Sequence, residues 1–172
     1  MAATGSVAVV VVGDTVKAAA GENAVLNAAG DVKFTAKGST DITDIVGTVG
    51  FSKGVAAGAS IDTVVYSGTV YAGIGKGTTV ISAGDVIVSA KSDDRLVDLV
   101  VGIDGSNGSA AVNGSVAVIV AKQNVFALIG TPDGGNNYAD ATGTIIKANG
   151  SIGVTAEAEQ LILSGAGSAA LT

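Results

Sequence analysis

The stretch Thr69–Lys91, TVYAGIGKGTTVISAGDVIVSAK, decides the fold. Beyond its Gly84-Asp85 turn, Val86, Val88 and Ala90 fall in one phase, and Ile87, Ser89 and Lys91 in the other. Alternation with period 2 predicts a strand with one face buried. The same string has counterparts on either side. GSVAVVVVGDTVKAAAG from Gly5 is followed by AVLNAAGDVKFTAK, and GSVAVIVAKQNVFALIG from Gly114 by TIIKANGSIGVTAE. Ser6, Ser60 and Ser115 correspond, as do Thr15, Thr69 and Asn124, giving steps of 54 and 55 residues. Gly30 and Gly84 are also 54 apart, whereas Gly84 to Gly150 is 66. The excess lies in an insertion at Thr131–Ala141, TPDGGNNYADA. Matching apolar and turn residues mark a unit that stacks on copies of itself. The predicted organisation is one solenoid of three repeats, about 5–58, 59–113 and 114–172, with the insertion as an exposed loop that leaves the stacking intact.

Three strand sets follow within the unit. Val32, Phe34 and Ala36 share a phase with Val86, Val88 and Ala90 and with Ile152, Val154 and Ala156, all predicted to point inward. A second set is Val16–Ala20, Val70–Ile74 and Val125–Ile129, and a third is Ala24–Ala28, Thr78–Ser82 and Ile145–Ala148. Gly-containing turns separate them at Gly21-Glu22, Gly75-Lys76, Ala29-Gly30 and Ala83-Gly84. Asp41–Val46 and Leu96–Val101 read as a further, less regular strand. Val7–Val12 is apolar in both phases, which predicts cover on its outer face too. With five or six strands, a unit of about 54 residues reads as two coils of about 27 residues or three of about 18.

Composition agrees with a narrow β core. The chain has 172 residues, 48% hydrophobic but only 3% aromatic, with 26 Gly and 1 Pro. Val and Gly are poor helix formers, which disfavours a bundle. A net charge of −6 disfavours nucleic acid as a partner. No polybasic segment addresses an anionic membrane, the longest apolar run is far too short to cross one, and no membrane insertion is expected. Cys and His are absent, so thiolate and imidazole metal sites and Cys or Ser–His nucleophiles are excluded. No cofactor, metal or catalytic residue is predicted. Met1-Ala2-Ala3-Thr4 carries no signal-peptide features. The chain is therefore expected to be a segment of a longer protein, with uncapped ends that favour self-association.

The string Thr69–Lys91 resembles repeats of the fusobacterial leukotoxin and related large filamentous adhesins of the haemagglutinin type. GSAAVNGSVAVIVAKQNVFALIG, Gly108–Gly130, is similar to their other half-repeat. The resemblance extends over nearly the whole chain, except the insertion. It implies an all-β fold, a right-handed parallel β-helix or β-solenoid. It also implies a secreted or cell-surface location, attachment to host cells through a surface protein or glycan, and no catalytic residues.

Several side chains have chemistry to weigh. Asp31 and Asp85 follow Gly in the same turn; they suit carboxylates that accept backbone N–H bonds better than a calcium ladder, since the third copy has Ser151 there. Asp93, Asp94 and Asp98, with Arg95 among them, read as solvated turn charge. The alternative is a polysaccharide lyase or hydrolase on a β-helix scaffold, with Lys91, Arg95 and Asp98 as the nearest constellation. Gly73–Thr78 lacks the spacing of a phosphate loop. Asn107, Asn113 and Asn149 open N-G-S sequons that double as turns. Tyr71 and Phe126 project outward at equivalent positions, and Tyr138 lies in the insertion. These three are the candidate surface-binding residues; packing beneath a neighbouring loop is the other reading of Tyr71 and Phe126.

Overall fold

The computed structural model describes residues 1–132 and 139–172. The described residues are almost all strand, with no helix. Nine strands build three parallel sheets: β1 (Ala2–Ala20), β4 (Val55–Ile74) and β7 (Ala110–Ile129) form one long wall. β3 (Val32–Ser52), β6 (Val86–Ser106) and β11 (Ile152–Leu171) form the second. β2 (Val25–Ala28), β5 (Thr79–Ser82) and β10 (Ile145–Ala148) form a short wall between them. Two-residue strands β8 (Thr131–Pro132) and β9 (Ala139–Asp140) pair antiparallel with each other, outside the three walls. Parallel strands in stacked sheets are consistent with a β-helix.

The register is the decisive fact. Val10 pairs with Val64 and Val64 with Ile119; Val32 pairs with Val86 and Val86 with Ile152. The offsets are 54 and 55 along the first wall and 54 and 66 along the second. They match the spacings of the sequence copies, the insertion included. One circuit of chain is thus a single wide coil, not two or three narrow ones. The narrow-coil expectation fails because the supposed separate strands are continuous. Val7–Val12 and Val16–Ala20 are one strand, and Asp41–Val46 continues the strand that starts at Val32. In the first circuit, only the Gly-rich corners and the short turn at Lys53-Gly54 break the strands.

Those corners repeat their backbone conformation as well as their sequence. Asn23, Gly77 and Gly143 occupy successive equivalent turns, all with positive φ of 55°, 68° and 73°. Asn and Gly are the residues that tolerate this left-handed conformation. Hydrogen bonds run through the corners from circuit to circuit: Gly75 N–H donates to Ala20 O at 3.1 Å and Gly130 N–H to Ile74 O at 2.7 Å. Thr78 and Ser82 hydroxyls donate to Gly21 O and Gly30 O, both at 2.6 Å. The turn aspartates act as expected. Asp31 Oδ1 accepts the N–H of Asp85 at 2.9 Å, and Asp85 Oδ1 that of Ser151 at 2.8 Å. Each carboxylate therefore reaches its own equivalent in the next circuit.

Inward residues of the three walls meet in one core. Near the short wall, Val70, Ala72 and Ile74 of β4 pack on Val80 of β5, on Val86, Val88 and Ala90 of β6 and on Val32 and Ala36 of β3. Further along, Val64 and Tyr66 meet Ile42 and Leu96. Among the described residues nothing covers the outer face of β1: Val7, Val9 and Val11 are 63–74% exposed. A Leu96→Ala substitution removes a fully buried side chain from the middle circuit and should cost about 2–5 kcal/mol. Val9→Ala, on the bare outer face, should stay within about 0.5 kcal/mol. Urea unfolding of both variants measures the difference, and equal losses would contradict this placement of the two faces.

Candidate functional site

Tyr71 and Phe126 are register partners on adjacent strands of the first long wall, and Lys17 pairs with Tyr71 from the other side. Because neighbouring parallel strands lie about 4.8 Å apart, the three side chains form one outward column. The Tyr71 ring lies over Gly73, in space that a Cβ there would need. Lys17 Nζ sits over the ring, 5.3 Å from its centre, a cation–π contact. This packing half-buries Tyr71, and burial pushes its phenol upward from its ordinary pKa.

The base of the insertion forms one bank of a groove beside this column. Thr131 Oγ1 donates to Glu22 Oε1 at 2.7 Å and accepts from Lys76 N–H at 3.3 Å; Lys76 Nζ pairs with Asp140 at 3.4 Å. The groove has a volume of about 440 Å³, with Lys17, Glu22, Tyr71, Phe126, Thr131 and Pro132 among its walls. It offers aromatic surface, one cation without an ion-pair partner among the described residues, and hydroxyl and carboxylate groups. Tyr138 lies outside the described residues. A second groove, about 420 Å³, runs by Phe51, Gly105 and Leu171 at the Lys53 turn. Sequence reading overlooked Phe51, although it is 71% exposed and, like Tyr71, lies across a glycine, here Gly105 on the next strand.

The acidic cluster is not a solvated turn. Asp93, Asp94, Arg95 and Asp98 all lie within β6, where successive side chains face opposite ways. Asp93 and Arg95 are exposed, with Arg95 paired to Asp41 at 3.3 Å, whereas Asp94 and Asp98 are each 1% exposed. Lys91 points outward to Glu157 at 3.4 Å and Glu159 at 3.5 Å. The lyase constellation of Lys91, Arg95 and Asp98 is thereby split between two faces of one strand.

Inside, polar layers alternate with the apolar clusters. Asp94 accepts bonds from Tyr66 and Ser92, both at 3.1 Å, and Gln123 Nε2 donates to Ser92 at 2.6 Å. Asp104 accepts from Asn113 at 2.9 Å and Thr4 at 3.3 Å, and its carboxylate fills the space that Cβ atoms at Gly50 and Gly58 would need. Between these layers, Asp98 faces Asp62 across the core and stacks on Asp44. No donor among the described residues reaches the buried oxygens of Asp62 and Asp98. Burial first, then the Asp62 and Asp44 charges, push the Asp98 carboxyl up to about 6. Below that value Asp98 carries a proton and can donate it toward Asp62.

No family model, curated protein or solved structure matches the chain.

The Asp98 shift fixes a pH dependence. A carboxyl whose folded-state pKa is raised stabilises the fold where it is protonated, and that stability is lost as pH rises through the folded value. The Asp98 contribution to the unfolding free energy should therefore fall by about 2–3 kcal/mol between pH 4 and pH 7 and flatten above. Asp98→Asn should remove most of that slope and be the more stable form at pH 7. An unchanged slope in that variant would count against the protonated pair.

Proposed function

We propose that the chain is a structural and binding segment of a secreted or surface-exposed bacterial adhesin or adhesin-like exotoxin, serving attachment to host cells. In this reading the solenoid is right-handed and is built from the repeat of about 54 residues. It is a stiff rod, because the strands of all three walls are hydrogen-bonded along one axis. The observation that carries the binding half of the proposal is the column of Lys17, Tyr71 and Phe126 beside its groove. The resemblance of Thr69–Lys91 and Gly108–Gly130 to filamentous-adhesin repeats supports the attachment role.

The chemistry of the groove favours a glycan. A flat aromatic ring pinned against a glycine presents a rigid apolar surface at little entropic cost, and amphipathic sugar rings stack on such surfaces. Lys17, Glu22 and Thr131 supply the hydrogen-bonding rim that orients a ligand. The side chains sit on strands whose register is fixed by neighbours, so the surface is organised before the ligand arrives.

Binding of the purified chain to a glycan array and to cultured host cells is the test. Tyr71→Ala combined with Phe126→Ala should lower binding at least about tenfold, the equivalent of about 1.4 kcal/mol. The far-ultraviolet β spectrum should remain. Binding to deglycosylated cells that equals binding to intact ones would point to a protein receptor. Full binding by the double variant would remove the groove from the account.

A further inference from the structure

The two ends of the stack complement each other. At one end β1, β2 and β3 each leave an edge without a partner among the described residues; at the other, β7, β10 and β11 do. We propose that between isolated copies of this chain these edges form an interface, stacked head to tail so that β7, β10 and β11 of one copy pair in register with β1, β2 and β3 of the next.

Continuity with the joints inside the chain fixes the register. Each internal column has one residue from each circuit, so its third member would meet the first member of the next copy. On the first wall this brings Ile119 onto Val10, Val118 onto Val9 and Val125 onto Val16. On the second it brings Ile162 onto Ile42 and Ala156 onto Ala36, and on the short wall Ile146 onto Leu26. Apolar residues meet apolar residues, as they do within the chain.

Charge gives a sharper discrimination. The internal β3–β6 joint tolerates a like-charge pair, Lys37 with Lys91, and sets the carboxyls of Asp44 and Asp98 side by side. The joint between copies has none along the three walls. Glu157 would meet Lys37, and Ser164 would meet Asp44. Phe126 would meet Lys17, repeating the contact that Lys17 makes with Tyr71 inside the chain.

Orphaned polar atoms point the same way. Ser6, Ser60 and Ser115 share one column. Ser60, in the middle, is bonded to Thr48 at 2.8 Å, but the buried hydroxyls of Ser6 and Ser115 have no partner among the described residues. Stacking would set these two side by side. Asn113 Oδ1 is likewise without a partner among the described residues.

Such an interface is heterologous, so association is open-ended and has no fixed stoichiometry. Sedimentation and light scattering of the purified chain over its soluble concentration range should show a mass that grows continuously with concentration. Glu157→Lys, which opposes Lys37 of the next copy, should weaken association about fivefold or more. Combining it with Lys37→Glu should restore it; circular dichroism checks that each variant is folded. A monomer at every concentration would overturn the proposal. So would a closed dimer, or association indifferent to Glu157→Lys.

Discussion

Everything in this molecule depends on parallel strands pairing in register with their own equivalents one circuit away. A one-residue slip in any wall would turn every inward side chain outward, because the side-chain period along a strand is 2. The sequence holds against that slip with valines at matched positions and with corners that repeat their backbone conformation. The ladder of turn aspartates adds a further constraint, since each carboxylate must find the N–H of its counterpart. Register is thus specified several times over, and each specification is weak alone.

The same constraint explains the interior. A coil with two walls of about 20 residues encloses a long, thin core, and the small residues that fill it leave little apolar area per circuit. Polar layers divide that core. Two of them, around Asp94 and Asp104, are hydrogen-bond networks that tie the walls together. The third, Asp62 with Asp98, has no cation among the described residues and is satisfied only where Asp98 is protonated, below about pH 6. Buried polar groups cost stability unless paired; the bonds made in the first two layers hold the facing walls together, while the third makes the stack sensitive to pH.

Much of this was legible in the sequence. The alternation after Gly30 and Gly84 placed Val32, Val86 and Ile152 on one wall, and the structure pairs them directly. The coil width was not legible, because a polar residue within a strand looks like a break when the interior is assumed to be apolar. Asp93–Asp98 was misread for that reason. The signal was present: Ser92, Asp94, Leu96, Asp98 and Val100 continue the phase of Val86, Val88 and Ala90 without interruption. Tyr71 and Phe126 were found by their outward phase. Phe51 escapes a reading in which the strand that contains it ends at Val46. The bank formed by Thr131 and Pro132 could not be foreseen, since an insertion has no internal copy to compare with.

Cysteine pairing tests the central claim, the single wide circuit, most directly, and the chain has no native cysteine to interfere. Thr43 and Val97 are register partners in adjacent strands of the second wall. Cysteines at both positions should close an intramolecular disulfide under mild oxidation, because neighbouring strands bring Cα atoms within the range a disulfide spans. Coils of about 27 residues would instead place position 43 beside position 70. Rapid bridging of the Thr43→Cys, Val97→Cys variant with none in Thr43→Cys, Val70→Cys is the result this account predicts; the reverse would contradict it.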